Sequence, residues 1–180
     1  LRAGPAYGGS CFPKDTRAIV DTAKQFKTDL SIIKNVIKSN ENRSKVLLNR
    51  IFKILKNKIK NKKITFLGVT FKANTDDMRE SSSLAMIPSL ASKGAKIRYY
   101  DPSGYKKDFD KIKNVTFCES IKLACSNADL IIIHTEWNDF KSLNFKSLSK
   151  KKGLTVYDMR NILSSEKMKK DKIKYFGIGR

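Results

Sequence analysis

Several residue types and patterns are scarce in this chain, and each scarcity removes a class of function. There are only three cysteines, Cys11, Cys118 and Cys125. An odd count at these spacings makes neither a disulfide framework nor a zinc site, so the chain suits a reducing cytoplasm, with any important thiol acting alone. The lone histidine leaves the acidic pair Asp76-Asp77 without a third ligand, which argues against a metal. No apolar run approaches the roughly 20 residues of a membrane span, so no membrane partner is expected. The opening Leu1-Arg2 is not followed by a signal-peptide core, and the chain reads as a piece of a longer polypeptide. Acidic residues are scarce too, 17 against 38 Lys and Arg, leaving a formal charge of +21 at pH 7. Such a surplus suits a polyanion such as nucleic acid. Aromatics are not interleaved with the lysines, however, and no arginine-rich reading helix is present, so base stacking and edge readout lack their parts. The lysines read as solvated faces near element ends. No nucleic-acid partner is expected, although a basic surface still favours a phosphorylated substrate.

With 180 residues, 40% of them hydrophobic, the chain can bury the core of one full domain and carry an appended helical segment. Residues 1–15, LRAGPAYGGSCFPKD, are rich in Gly and Pro and read as a loop that holds side chains. Residues 16–60 lack both and place apolar residues at helical spacing. Ile19, Ala23 and Phe26 make one stripe; Ile32, Ile33, Val36 and Ile37 make another, continued by Val46, Leu47, Ile51, Ile54 and Leu55. Thr28-Asp29 can end one helix and cap the next, which runs to about residue 57. Helices this long bridge domains or pack against a copy of themselves. From Lys63 onward short apolar runs alternate with amphipathic ones. KITFLGV, AKIRYYDP, residues 115–117, ADLIIIHT, LTVYDM and IKYFGIG read as strands; SLAMIPSLASKG and residues 119–127 read as helices. Alternation of this kind implies right-handed crossovers and an α/β Rossmann-like, mostly parallel sheet with flanking helices. Residues 1–60 and 61–180 are thus expected to form an active-site loop with a helical segment, and an α/β domain. Ligands of such sheets gather at the carboxyl ends of strands, which directs attention to the loops after Val69, His134 and Met159. The first strand runs into GVTFKANTDD instead of G-x-G-x-x-G, so this sheet lacks the dinucleotide fingerprint. Asp101-Pro102 reads as a turn.

The run GGSCFPKD concentrates chemistry. Gly8-Gly9 lets backbone approach a ligand or take positive φ. Cys11 follows, just before a helix expected to begin near Pro13. A thiol there feels the positive end of the helix dipole, which favours thiolate, and Lys14 adds to that push. Asp15 is placed to act as a base or to hold a water. From these residues alone, Cys11 is either a thiol nucleophile or a buried structural cysteine.

GPAYGGSCFPKDT resembles the active-site signature of the UDP-glucose/GDP-mannose dehydrogenase family. FLGVTFKANTDDMRESSS is similar to the opening of that family's C-terminal domain, and HTEW (134–137) and VYDMRN (156–161) match two further stretches in the expected order. Ser10, Phe12 and the TDD run resemble the UDP-glucose branch more than the branches acting on N-acetylated mannosamine sugars. The resemblance implies oxidation of UDP-glucose at C6 to UDP-glucuronate with two NAD molecules, and a homodimer built on the helical segment. In it Cys11 attacks the intermediate aldehyde to give a thiohemiacetal, and a second hydride transfer gives a thioester that water hydrolyses. A thiol suits this, since the tetrahedral adduct donates hydride where an aldehyde does so poorly. Asp15 corresponds to the carboxylate assisting the water and proton transfers. Lys14 and Cys11 correspond to positions beside the nicotinamide, and Arg79 to a cofactor contact. Arg2, Ala3, Gly4, Pro5, Ala6, Tyr7 and Gly8 correspond to the loop that wraps the nucleotide sugar. Phe71, Lys72 and Arg160 correspond to further substrate contacts, and cations there suit a diphosphate.

Each of these residues has a plainer reading. Lys14 and Lys72 can be ordinary surface lysines, and Arg79 can simply pair with Asp76 or Asp77. His134 reads as a satisfied structural residue, Cys118 and Cys125 as packing residues on a helix, and Trp137 as a cover for the domain surface. The chain departs from the family at Ala6, where Gly is usual, and in lacking the G-x-G-x-x-G domain. It is therefore not expected to turn over alone. The competing functions are GDP-mannose oxidation, a basic nucleic-acid-binding module, and an inactive sugar-nucleotide-binding remnant.

Overall fold

The short β-branched and aromatic runs all become strands of one sheet. The computed structural model describes residues 4–149 and 153–179. Strands β1 (Lys63–Leu67), β2 (Lys96–Tyr100), β3 (Val115–Phe117), β4 (Leu130–Ile133), β5 (Thr155–Asp158) and β6 (Lys174–Gly177) pair in the order β3-β2-β1-β4-β5-β6. Every pairing is parallel, with Phe66 level with Tyr99 on one side and Ile132 on the other. The chain winds outward from β1 through β2 to β3, then returns to β4 and winds the other way. The β1/β4 boundary is therefore the point where the direction of winding switches, the place where ligands of such sheets bind.

Alternation along each strand divides the core in two. Ile64, Phe66, Leu130, Ile132 and Tyr157 face one side. There they meet Leu47, Leu48 and Ile51 of the helix α2 (Ser31–Ile54) and Met86, Ile87 and Leu90 of α3 (Ser83–Ser92). Leu67, Ile131, Ile133 and Val156 face the other side. That side is closed by Cys125 of α4 (Ile121–Cys125), Phe145 of α5 (Phe145–Leu148) and Met168 of α6 (Ser165–Lys170). A fully covered side chain such as Ile51 contributes about 1.5–3 kcal/mol by leaving water.

The N-terminal helices depart from expectation in their ends. Helix α1 (Cys11–Gln25) begins at the cysteine and not near Pro13. The proline is tolerated inside the first turn because the N–H groups there have no intrahelical partner to lose. Thr28 and Asp29 lie between the helices; Leu30 occupies the cap position of α2, and Asp29 instead ion-pairs with Lys34 at 2.8 Å. Helix α2 stops at Ile54, where Lys56 and Asn57 take positive φ. Cys118 lies before α4 and not within it, because Ser120 caps that helix by accepting from Leu123 N–H at 3.2 Å. No helix among the described residues is long and apolar enough to cross a membrane.

Candidate functional site

Three loops at the carboxyl edge of the sheet are bound into one unit by Arg160 and His134. Arg160 follows β5 and its side chain is only 7% exposed. Its Nε donates to the His134 carbonyl and its Nη2 to the Phe71 carbonyl, each at 2.8 Å. Glu136 brings Oε2 to 2.8 Å from Nε, a contact of charges without hydrogen-bond alignment because that N–H is directed at His134. Burial pushes the guanidinium below the ordinary arginine range, and Glu136 opposes that. Gly4 abuts the remaining Nη1: a Cβ there would lie 2.5 Å away.

The His134 ring has one consistent protonation pattern. Thr135 Oγ1 donates its only proton to the Thr70 carbonyl at 2.7 Å, so it must accept from His134 Nδ1 at 3.1 Å. Nε2 is then the acceptor, taking the Ser82 hydroxyl proton at 2.8 Å. Burial pushes this histidine down to about 3, with the Arg160 charge adding to it. A neutral ring of fixed tautomer thus ties β4 to the start of α3 and, through Thr135, to the β1 loop. The plainer reading of His134, a satisfied structural residue, is what the geometry shows.

The first loop is closed from the other side by Asp101. Its Oδ2 accepts from Val69 N–H at 2.7 Å and Thr70 N–H at 3.3 Å, and its Oδ1 accepts from Ser103 N–H at 3.0 Å. The backbone amides that would cradle a phosphate after β1 are therefore taken by an acid of the chain itself. Together with the missing glycine fingerprint, this means that a dinucleotide does not fit this sheet.

Cys11 lies against the same unit. Gly9 has φ +84°, and a Cβ on it would lie 2.8 Å from the Phe71 ring. Its N–H donates to the Arg79 carbonyl at 2.8 Å. Cys11 opens α1 directly afterwards, exposed, with Ser10 Oγ 3.6 Å from its Sγ. A cavity of roughly 340 Å³ is lined by Gly8, Cys11, Phe12, Phe71, Lys72 and Asp77, among others. Lys72 Nζ lies 5.3 Å from the Phe71 ring centroid. The structure therefore brings together Cys11, Gly8, Phe71 and Lys72. It leaves Lys14 and Asp15 outside that lining, ion-paired with each other at 3.4 Å and 73% and 65% exposed. Arg79 pairs with Asp77, its plainer reading. Arg2 and Ala3 lie outside the described residues. Ala6 does not take positive φ, so its Cβ causes no backbone strain.

Two residues that sequence reasoning passed over hold the loop at residues 5–7 in place. Asn40 of α2 accepts from Tyr7 N–H at 2.9 Å and donates to the Tyr7 carbonyl at 3.0 Å, as a neighbouring strand would. Arg43 donates to the Pro5 carbonyl at 3.2 Å. Their only sequence signal is a polar cluster, Asn40, Arg43 and Ser44, interrupting a helix that is apolar before and after it. Arg17 adds a second tie, reaching Glu80 with Nη1 at 3.1 Å. Cys125 is buried and pushed up to about 12 by that burial, with Cys118 adding to it, and so packs inertly. Trp137 packs against the second core, with its indole N–H covered and unpartnered. No cluster of three His, Cys, Asp or Glu side chains suited to a metal occurs among the described residues.

Residues 65–165 match the model of the UDP-glucose/GDP-mannose dehydrogenase family, UDP binding domain, and residues 1–42 match the central domain of the same family. A UDP-glucose 6-dehydrogenase of Rickettsia conorii is 39% identical over 183 residues, covering 99% of this chain and 42% of that protein. The chain thus spans about two-fifths of that relative's length. The structure of a UDP-glucose dehydrogenase from Pyrobaculum islandicum superposes with a TM-score of 0.79 at 28% identity, covering 97% of this chain and 38% of that one. An NDP-N-acetyl-D-galactosaminuronic acid dehydrogenase from Methanosarcina mazei gives 0.84 at 25% identity, covering 100% and 40%.

Proposed function

Because this chain belongs to the UDP-glucose/GDP-mannose dehydrogenase family, we propose that it is the nucleotide-sugar-binding, cysteine-bearing part of a UDP-glucose 6-dehydrogenase. The observation that carries this reading is the meeting of Cys11, Phe71 and Lys72 around one cavity, beside the unit that Arg160 clamps. Residues 1–60 supply the nucleophile loop and helical segment, and residues 61–180 the nucleotide-sugar domain. The loop from Gly4 to Gly8, held by Asn40 and Arg43, wraps the sugar nucleotide. Lys72 offers an exposed cation to the diphosphate, while Arg160 acts mainly by fixing the Phe71 and His134 backbones. Cys11 Sγ adds to the C6 aldehyde carbon and holds the sugar as a thiohemiacetal. Asp15, four residues along α1, is assigned to the water that, once the adduct has been oxidised to the thioester, releases the acid as UDP-glucuronate. NAD supplies the hydride acceptor when bound; since Asp101 occupies the amides after β1, its place is outside this sheet. Copies of the chain pair along the helices, where Ile19, Phe26, Ile32 and Val36 leave apolar surface exposed.

Calorimetric titration of the chain with UDP-glucose and with GDP-mannose tests the binding half. UDP-glucose should bind, GDP-mannose more weakly, and Lys72→Ala should weaken UDP-glucose by about tenfold. Equal affinity for the two sugars would remove the UDP-glucose assignment. In a full-length enzyme carrying this segment, Cys11→Ser should abolish acid formation and leave UDP-glucose binding nearly intact. Acid production close to the parent rate would rule out the covalent route.

A further inference from the structure

The stretch before Cys11 is tied to α2 by a side chain that stands in for a peptide. Asn40 is half-buried, and both polar atoms of its amide are committed to Tyr7. Oδ1 accepts from Tyr7 N–H at 2.9 Å, and Nδ2 donates to the Tyr7 carbonyl at 3.0 Å. Only one orientation of the amide makes both bonds. A cavity of roughly 390 Å³ adjoins this stretch, lined by Ala6, Tyr7, Arg17, Asn40, Glu80 and Ser82, among others. With open space on that side, hydrogen bonds fix the Tyr7 backbone where close packing does not.

From Tyr7 the path to the thiol is short. The Tyr7 ring meets Phe12 edge-on, with centroids 4.7 Å apart and planes at 89°. Phe12 and Gly8, the residue after Tyr7, both line the cavity that holds Cys11. Gly8 has no slack, since a Cβ on it would lie 2.5 Å from the Glu80 carbonyl oxygen. A displaced Tyr7 therefore carries two parts of the cavity wall with it. Asn40 does not line that cavity, so it acts there only through Tyr7.

We propose that Asn40 is a positioning residue for the hexose. By holding both polar groups of Tyr7 it fixes the wall at Gly8 and Phe12, and so sets how much more tightly UDP-glucose binds than UDP. This rests on the reading of residues 4–8 as the loop around the sugar nucleotide, with the Cys11 end at the hexose and Lys72 at the diphosphate. A wall fixed before binding costs the ligand nothing to order.

Calorimetric titration of the chain with UDP-glucose and with UDP, together with amide hydrogen exchange followed by NMR, tests it. Asn40→Ala should weaken UDP-glucose by about tenfold, the size of the hydrogen bonds removed, and UDP by less than about twofold. Alanine is the better helix former, so α2 itself is not weakened. In that variant Tyr7 N–H should exchange at least about tenfold faster, while Ile51 N–H, in the buried part of α2, keeps the parent rate. A merely structural role would speed both amides and weaken both ligands alike. Asn40→Asp keeps the size and the acceptor but sets an oxygen against the Tyr7 carbonyl, so it should weaken UDP-glucose as alanine does and spare UDP. The proposal is overturned if Asn40→Ala weakens both ligands by the same factor, if Tyr7 exchange is unchanged, or if Asn40→Asp binds UDP-glucose like the parent. A parent chain that binds UDP-glucose no more tightly than UDP counts against the sugar-loop reading instead. The exchange rates of Tyr7 and Ile51 then still decide whether Asn40 holds the loop.

Discussion

His134 makes a residue-scale prediction unusually clean, because it is the only histidine in the chain. In the unfolded chain its ring takes a proton near pH 6.5, whereas in the folded chain burial pushes that down to about 3. The unfolded state therefore binds the proton more readily between those values. The sign follows: the stability tied to neutral His134 is fully present above pH 6.5 and is lost as pH falls toward 3. The slope is at most about 1.4 kcal/mol per pH unit. Urea unfolding at pH 7 and pH 5.5 should show a loss of about 1 kcal/mol, in a window above most carboxylate titration. His134→Asn keeps a donor toward Thr135 but cannot titrate, so its stability should be flat across that window. An unchanged slope in this variant would place the titrating group elsewhere.

At the scale of elements, α2 is two helices in one. Its C-terminal half buries Leu47, Leu48 and Ile51 against the sheet, while its N-terminal half leaves Ile32 76% exposed and Val36 39% exposed. The same substitution at the two ends should therefore read differently. Ile51→Ala should cost about 2–5 kcal/mol in urea unfolding, since it opens a cavity under a packed face. Ile32→Ala should change the stability of one chain by less than about 0.5 kcal/mol. If copies pair along this helix as proposed, Ile32→Ala should instead weaken self-association, seen as a shift toward monomer in sedimentation velocity. Sedimentation indifferent to Ile32 would remove that surface from the interface.

The whole molecule depends on contacts between segments far apart in sequence. One face of the core is closed in part by Leu47, Leu48 and Ile51 of α2, so residues 61–180 taken alone would expose part of that apolar face to water. Such a truncated chain should bind a hydrophobic dye and lose cooperative unfolding, despite carrying all six strands. A soluble truncation with a sharp two-state transition would show that the helices are dispensable and that the division near residue 60 is a domain boundary. Arg17 to Glu80 and Asn40 to Tyr7 are ties that join the loop before Cys11, the helices and the segment leading into α3.

Much of this was determined by the sequence by itself. All six strands, the crossovers and the three loops after Val69, His134 and Met159 were legible, because a parallel strand buried on both faces leaves a short continuous apolar run. The glycines before Cys11 and the missing fingerprint after β1 were equally local. What only the tertiary structure decided was pairing across long separations: Asp101 filling the β1 amides, Arg160 gripping Phe71, Asn40 and Arg43 holding the loop at residues 5–7. It also decided which half of the α2 stripe joins the core beside the sheet. Periodicity records that a face is apolar, but the partner of that face is set by the path of the rest of the chain.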